Sequence, residues 1–148
     1  MRAPYQILAL PYKYIDGQLK FAVFHRSDLD MWQFISGGGE DGETPMEAAK
    51  RDVWEEGGIR TDKLVPLKSI CYIPAGFFPK RHQDCWSADT YIIPEHAFAF
   101  PCEEEITLSD EHTEYVWCTY DEARHLLKWD SNRTAMYETI RRLEKGDL

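Results

Sequence analysis

The sequence contains no run of apolar residues long enough to cross a membrane and no segment with the pattern of a secretory signal peptide. Basic residues are also few, because 17 lysines and arginines stand against 26 aspartates and glutamates, which gives a formal net charge of -9. This balance argues against broad binding of nucleic acids or anionic membranes, since both require a basic surface. We therefore expect neither nucleic acid nor membrane among the partners.

Metal-binding patterns of cysteine and histidine are missing as well. The four cysteines form no C-x-x-C pair, and the five histidines show no zinc-type spacing. Reduced thiols in the cytoplasm are the expectation that follows. Repeats, low-complexity segments and domain linkers are absent, and 148 residues with 43% hydrophobic content suit one well-buried domain. We expect a single domain over residues 1–148.

What the sequence does have is a glycine-rich stretch that leads into a well-marked helix, residues 37–59, GGGEDGETPMEAAKRDVWEEGGI. The three consecutive glycines predict a loop that lets a ligand approach the main chain closely. Thr44 is a typical N-cap, Pro45 suits the first helical position, and Glu47 completes a capping box. Two glycines, Gly57 and Gly58, are expected to end the helix.

Three acids of this helix are spaced so that they converge. Asp52, Glu55 and Glu56 stand at i, i+3 and i+4, whereas a separate arc is apolar and suits packing on a core, with Met46, Ala49 and Val53. Neighbouring carboxylates raise one another's pKa, so the cluster is costly without a cation. An ordinary solvated acidic face is the alternative interpretation.

The spacing G-x5-E-x7-R-E-U-x-E-E-x-G-U, in which U is aliphatic, is the signature of the Nudix hydrolases. The chain resembles that signature at eight positions, Gly37, Glu43, Arg51, Val53, Glu55, Glu56, Gly58 and Ile59. Asp52 departs from it, because the family has glutamate there. Because aspartate is one methylene group shorter than glutamate, Asp52 would bind the metal through a water molecule or leave one metal site weak.

The resemblance implies a loop-helix-loop that binds Mg²⁺, with Mn²⁺ as an alternative, and hydrolyses a diphosphate bond. It implies metal ligation by Asp52, Glu55, Glu56 and the backbone carbonyl of Ser36, with catalytic roles for Glu55 and Glu56. Glu43 and Arg51 would brace the loop against the helix, and Gly37 and Gly58 would complete the structural part of the motif. The implied fold is α+β, an α/β/α sandwich with a mixed β-sheet.

Nudix enzymes commonly supply another carboxylate from a loop distant in sequence. The acidic turn 109–113 is the candidate, and it lies between predicted strands at 106–108 and 114–118. We assign Glu111 as metal ligand and catalytic base, with Glu114 as second choice. A merely exposed acidic turn is the alternative.

The remaining elements follow from composition and turn chemistry. Segments 5–14 and 19–25 flank Asp16-Gly17 and predict a β-hairpin, and a short strand at 32–35 leads to the glycines. Further strands are predicted at 64–73 and 86–93, and a helix at 121–127. A final helix capped by Asp130, Ser131 or Asn132 would bury Met136, Ile140 and Leu143.

Four cations are candidate substrate contacts. Arg26 would meet phosphates, although a surface ion pair is the alternative. Lys80 and Arg81 belong to the aromatic and basic segment 74–82, which either stacks on a ring of the substrate or folds onto the core. Arg133 lies in the segment W-D-S-N-R, residues 129–133, which resembles a stretch of the dihydroneopterin triphosphate pyrophosphatases. The run that begins Glu111-His112 also resembles part of those enzymes.

The function expected from these residues is Mg²⁺-dependent pyrophosphohydrolysis of a small phosphorylated molecule, with a pteridine or nucleoside triphosphate releasing pyrophosphate. Dinucleoside polyphosphates and nucleotide sugars are alternative substrates. Because of Asp52, a Nudix-like nucleotide-binding module without turnover is a second hypothesis, and an acidic scaffold domain is a third. The oligomeric state stays open.

Overall fold

The computed structural model describes all 148 residues. Its strands are β1 (Arg2–Ile15), β2 (Gln18–Arg26), β3 (Trp32–Gln33), β4 (Ile35–Glu40), β5 (Val65–Pro74), β6 (Ile92–Pro101) and β7 (His112–Cys118). Its helices are α1 (Pro45–Gly57), α2 (Lys80–Gln83), α3 (Tyr120–Leu126) and α4 (Asp130–Glu144), and a 3-10 turn spans Ala75–Phe77. No helix is long and apolar enough to span a membrane.

The strands form one seven-stranded sheet with the order β3-β2-β1-β6-β5, in which β4 pairs with β1 and β7 pairs with β2. The β1–β6 pair is parallel and the others are antiparallel, so the sheet is mixed. The predicted hairpin joins β1 to β2, with Asp16 at φ 52 and Gly17 at φ 81, the left-handed conformations that a two-residue hairpin turn requires.

Side chains that alternate along the strands supply a core on each face of the sheet. Ile7 packs with Ala49 and Val53 of α1, whereas its neighbour Leu8 packs with Ala123 of α3 and Met136 of α4. Helix α1 therefore covers one face, and α3 and α4 cover the other. The architecture is the expected α/β/α sandwich.

Helix α1 begins and ends where the sequence predicts. Thr44 accepts a hydrogen bond from the backbone of Glu47, whose side chain accepts one from the backbone of Thr44, and this closes the capping box. Gly58 takes the left-handed conformation at the C-cap, with φ 68. The helix that carries the acidic cluster thus has both termini satisfied by local sequence.

The predicted loop at the three glycines is wrong. Gly37, Gly38 and Gly39 lie within β4, and none of them has a positive φ. Each is instead a point of close approach, because a Cβ would overlap the side chain of another residue at all three. The glycines are needed here for space rather than for unusual backbone angles.

The predicted strand at 86–93 is wrong except for its last two residues, and the one at 106–108 is wrong altogether. Residues 86–91 form a turn in which the hydroxyl of Ser87 donates to Asp89, and β6 begins only at Ile92. Residues 106–108 form no strand because the backbone N–H of Thr107 donates to the carbonyl of Gly57, which attaches this segment to the end of α1. Local side-chain chemistry in one case and a helix terminus in the other replace sheet pairing.

The cap predicted for the final helix differs as well. Trp129 occupies the N-cap without a side-chain cap hydrogen bond, and α4 starts at Asp130. The buried side chain of Asn132 accepts a hydrogen bond from the backbone N–H of Phe34 at 2.9 Å, and so ties α4 to the sheet. Met136 is fully buried, with Ile140 and Leu143 packed at the edge of the same core, as expected.

Candidate active site

The three acids of α1 do not share one environment. Asp52 and Glu56 are each 4% exposed, whereas the side chain of Glu55 is 55% exposed and lies at the rim. Asp52 and Glu56 are one turn apart on the side of the helix that turns towards β4. The structure thus divides the predicted cluster into two buried carboxylates and one solvent-facing carboxylate.

Arg51 connects the helix to the strand and to the turn that follows it. Its guanidinium donates to both carboxylate oxygens of Glu43, at 2.8 and 3.0 Å, and to the carbonyl of Gly38 at 3.0 Å. The hydrogen bond from Arg51 holds the pKa of Glu43 below its usual value. Glu43 also accepts from the backbone N–H of Glu40. Through these contacts Arg51 joins α1 to β4 and to the turn at Glu43.

The glycines of β4 let the acids and their neighbours pack against the strand. A Cβ at Gly37 would overlap the carboxylate of Asp52, and one at Gly38 would overlap the side chain of Arg2. The third glycine makes room for Tyr5, whose hydroxyl donates to the carbonyl of Glu43.

A cavity of about 450 Å³ opens above these residues, and its wall contains no hydrophobic side chain. It is lined by Arg2, Ser36, Gly37, Gly38, Glu40, Arg51, Asp52, Glu55, Glu56, Ser109, Asp110 and Glu111. The structure therefore brings together Ser36, the three acids of α1 and the distant Glu111. We call this space the acid cavity.

Glu111 reaches the acid cavity because its turn is attached to the end of β2. The backbone N–H of Ser27 donates to the backbone carbonyl of Glu111 at 2.9 Å. The hydroxyl of Ser27 donates to the backbone carbonyl of Asp110 at 2.8 Å. Glu114, the second choice, is exposed on β7 opposite His25 and does not line the cavity.

Burial raises the pKa of Asp52 to about 7. The positive charge of Arg51 lowers this pKa, whereas the negative charges of Glu55 and Glu111 raise it. Burial likewise raises the pKa of Glu56 well above its usual value, and the charges of Glu111 and Asp52 raise it further. Asp52 Oδ2 and Glu56 Oε1 are buried without a hydrogen-bond partner. Unpaired buried carboxylate oxygens are costly.

These oxygens are suitable ligands for a hard divalent cation, which would supply the missing counter-charge. No group of three His, Cys, Asp or Glu side chains in the chain is close enough to form a ready-made metal site. Within the acid cavity, however, the donors are all oxygens and two of them lack partners, so the residues present fit such an ion.

Two residues of this region receive no functional role from the sequence patterns. Arg2, from the start of β1, contributes a positive charge to the wall of the acid cavity. His112 is buried beside Glu56, with Nδ1 3.8 Å from Glu56 Oε1, and neither ring nitrogen has a hydrogen-bond partner. Burial lowers the pKa of His112. Sequence spacing does not reveal either contact, because the pairing of β1 with β4 places Arg2 and the packing of the sheet against α1 places His112.

The four predicted substrate cations lie outside the wall of the acid cavity. Arg26 makes a two-pronged ion pair with Asp28, at 2.9 and 2.6 Å, which is the surface pair considered as its alternative. Arg133 donates to the carbonyl of Leu127 and pairs with Asp130, and Lys80 pairs with Asp84. Arg81 is exposed. Their phosphate contacts stay predictions.

The aromatic segment 74–82 was expected either to fold onto the core or to stack on a ring of the substrate, and its two phenylalanines differ in this respect. Phe78 is partly buried and packs edge-on against Trp86, with ring centroids 5.6 Å apart. Phe77 is 61% exposed and meets Trp129 edge-on at 5.8 Å. One phenylalanine therefore packs inward while the other leaves a ring face at the surface, beside the start of α4.

Comparison with known proteins agrees with this geometry. The family model for the NUDIX domain matches residues 15–140. A crystal structure from Listeria monocytogenes str. 4b F2365, described as a NUDIX hydrolase, is 40% identical, covers 98% of this chain and 97% of its own, and superposes with a TM-score of 0.85. The chain belongs to the Nudix family and is a hydrolase of phosphoric anhydrides.

Two curated relatives define its neighbourhood within the family. Dihydroneopterin triphosphate diphosphatase of Escherichia coli (strain K12) is 27% identical over 151 residues, which cover 94% of this chain and 93% of the relative. The asymmetrical bis(5'-nucleosyl)-tetraphosphatase of Rattus norvegicus is 27% identical over 121 residues, with 81% and 78% covered. Both are similar to this chain over most of their length. The resemblance drawn from the motif is thereby confirmed.

Proposed function

We propose that the protein is a Mg²⁺-dependent pyrophosphohydrolase that cleaves a pteridine or nucleoside triphosphate and releases pyrophosphate. The observation that carries this proposal is the pair of buried oxygens, Asp52 Oδ2 and Glu56 Oε1, that lack hydrogen-bond partners in a cavity without hydrophobic side chains. Such a site favours a cation together with a highly charged substrate.

In this proposal the cation is held by the carboxylates of Asp52, Glu55, Glu56 and Glu111 and by the backbone carbonyl of Ser36. Mg²⁺, or Mn²⁺ in its place, would neutralise charge that develops on the phosphate oxygens and make a coordinated water a better nucleophile. Glu55, Glu56 and Glu111 are the candidates for accepting the proton of the attacking water.

Other residues of the chain orient the reacting groups. Arg51 fixes the carbonyl of Gly38 and the turn at Glu43, so the strand edge beside the substrate keeps its position. Arg2 adds a positive charge to the wall of the acid cavity, where a terminal phosphate would meet it. Arg26, Lys80, Arg81 and Arg133 remain proposed contacts for outer parts of the substrate.

The relatives support the choice of substrate class. Dihydroneopterin triphosphate diphosphatase matches across nearly the whole of both chains, which favours a triphosphate joined to a pteridine. The tetraphosphatase similarity keeps dinucleoside polyphosphates as the second substrate class. The four cysteines are free, which supports a cytoplasmic location, and we propose that residues 1–148 act as one catalytic domain with no nucleic-acid or membrane partner.

The experiment is a measurement of product release with Mg²⁺ over a panel of dihydroneopterin triphosphate, nucleoside triphosphates, dinucleoside polyphosphates and nucleotide sugars. Glu56→Gln should abolish turnover, and Glu114→Gln, an exposed acid outside the cavity, should retain it. Circular dichroism and thermal melting verify that both variants fold.

Near-normal turnover by Glu56→Gln would contradict the proposed site. An absence of turnover by the unmodified protein on every substrate, combined with an increase in melting temperature on addition of a ligand, would instead support the binding module. In that case Asp52→Glu tests whether the missing methylene group is the cause.

A further inference from the structure

A second cavity, of about 230 Å³, lies on the face of the sheet that α4 covers. Its wall combines strands β1, β5 and β6 with the first turns of α4, and its residues are Leu8, Ser69, Ile70, Cys71, Glu95, Ala97, Asp130, Ser131 and Thr134. Both apolar groups and polar groups line it, unlike the acid cavity. We call it the α4 cavity.

Glu95 is the unusual residue of the α4 cavity. It is 7% exposed, and no positively charged side chain contributes to its pKa. Burial raises its pKa, and only the nearby hydroxyl of Ser131, which also lines the α4 cavity, acts in the opposite direction. A carboxylate has about four acceptor positions, so most of the capacity of this buried group is unused. Buried acids are normally paired.

The register of the sheet sets the position of Glu95 relative to the acid cavity. Gln6 of β1 pairs with Gly38 of β4 on one side and with Glu95 of β6 on the other. Because neighbouring strands are about 4.8 Å apart, Glu95 lies roughly 10 Å from Gly38, which lines the acid cavity. The acids lie on the α1 side of the sheet and Glu95 lies on the α4 side. A substrate with its polyphosphate in the acid cavity would reach Glu95 by passing the outer edge of β4, which pairs only with β1.

A further polar group is unsatisfied along the same row. Gln6 Oε1 is buried and has no hydrogen-bond partner. Since residues that pair across strands point to the same face, the amide of Gln6 and the carboxylate of Glu95 are neighbours on the α4 side. The row that leads from Gly38 to Glu95 thus holds hydrogen-bonding capacity that the chain itself does not use.

A carboxylate with free acceptor positions is complementary to two adjacent N–H donors. The 2-amino-4-oxo pyrimidine edge that pterin and guanine share presents this pair, whereas adenine presents one donor beside one acceptor. Leu8, Ile70 and Ala97 give the cavity apolar surface for the faces of a ring. Burial raises the pKa of Glu95 to about 7, and two N–H donors would favour its charged form.

We propose that Glu95 is a specificity-determining residue that accepts hydrogen bonds from the 2-amino-4-oxo edge of the substrate's heterocycle in the α4 cavity. This inference rests on the proposed function and narrows it to pterin and guanine triphosphates. Trp129, the N-cap of α4, contacts Phe77 of the 3-10 turn edge-on, so the ring enters beside aromatic side chains.

The test compares the unmodified protein, Glu95→Gln and the control Glu144→Gln, with dihydroneopterin triphosphate, GTP and ATP as substrates. A glutamine offers one donor and one acceptor, so Glu95→Gln should raise KM for the first two substrates about 10- to 100-fold, the range of a lost bidentate contact. KM for ATP should not rise, and kcat at saturation should stay within a few-fold. Glu144, which is exposed on the last turn of α4 and lines neither cavity, should leave all preferences unchanged.

Equilibrium binding of GTP and ATP in EDTA, followed by tryptophan fluorescence, separates this inference from the proposed function. If the protein hydrolyses none of the three substrates but Glu95→Gln weakens GTP binding alone, the inference stands and the proposed function fails. Three results would each overturn the inference. Glu95→Gln could leave the ratios of KM among the three substrates unchanged, or raise KM equally for all three. In EDTA, it could change the affinities for GTP and ATP by the same factor.

Discussion

The carboxylate of Asp52 lies directly against the α-carbon of Gly37, and no Cβ can be placed there without overlapping it. This contact joins the acid that departs from the Nudix signature to the first glycine of the same signature. Since Gly37 has an ordinary backbone angle, the requirement for glycine is steric. The position of the Asp52 side chain on α1 therefore depends on the absence of a side chain at Gly37 on β4.

Gly37→Ala tests this coupling. The added methyl group should displace Asp52, lower kcat/KM at least 10-fold and destabilise the fold by about 1–3 kcal/mol, the usual cost of overpacking. Gly76→Ala is the matched control, because its Cβ would meet open space, and it should change stability by less than about 0.5 kcal/mol. Steady-state kinetics and urea denaturation give both quantities. Full activity in Gly37→Ala would refute the coupling.

Asp52→Asn is expected to separate stability from metal response. Removing a charge whose burial is unfavourable should raise the free energy of unfolding in EDTA by about 1 kcal/mol or more. The stabilisation that Mg²⁺ gives to the unmodified protein should disappear, because a ligand has been lost. Urea denaturation with and without Mg²⁺ measures both effects, with Glu114→Gln as control. A variant that keeps the full response to Mg²⁺ would exclude Asp52 as a ligand.

Arg51→Lys should weaken the connection between α1 and β4. Lysine cannot reproduce the two-pronged contact with Glu43 while also reaching the carbonyl of Gly38. We therefore expect the free energy of unfolding to fall by about 1–3 kcal/mol. Arg141→Lys, at an exposed pair with Glu144, should cost less than about 0.5 kcal/mol. A double-mutant cycle with Glu43→Gln measures the coupling, and strictly additive losses would argue against the bracing role.

Glu138 of α4 is expected to contribute stability that depends on pH. Its carboxylate accepts from the backbone N–H groups of Lys68 and Ser69, each at 2.7 Å, and from the hydroxyl of Ser69. Burial alone would raise the pKa of Glu138, but these hydrogen bonds outweigh it and the net shift is downward. The stabilisation is therefore present above the unfolded-state pKa of about 4.3 and is lost as the pH falls through the lower folded-state pKa.

Glu138→Ala should destabilise the fold by about 1–3 kcal/mol at pH 7, because two strand N–H groups lose their acceptor. The difference from the unmodified protein should shrink below pH 4. Glu144→Ala, on the exposed last turn of the same helix, is the matched control and should have little effect at either pH. Thermal denaturation at several pH values measures the difference, and a difference independent of pH would disprove the assignment.

Local chemistry in the sequence was sufficient for several features. The capping box at Thr44 and the left-handed Gly58 define α1 through contacts only a few residues apart, and Asp16-Gly17 defines the hairpin in the same way. Residues 86–91 were mistaken for a strand because their β-forming side chains outweighed the weaker turn signal of Ser87.

The candidate site was foreseen where one helix carries it and missed where distant strands build it. The spacing of Asp52, Glu55 and Glu56 identifies the acids, but only packing against β4 makes two of them buried and leaves the third exposed. The positions of Arg2, His112 and Glu95 depend on strand pairing between segments far apart in the chain. A one-dimensional spacing does not encode such contacts.

The sequence by itself thus determined the family signature, the helix that bears it and the chemistry of oxygen ligands, because each depends on residue type and short-range geometry. Tertiary structure alone decided which carboxylate oxygens lack hydrogen-bond partners, why three positions of β4 must be glycine, and where the second cavity lies. The physical reason is that burial and close approach arise when the sheet and helices pack. Residues remote in sequence then share one environment, and their pKa values change accordingly.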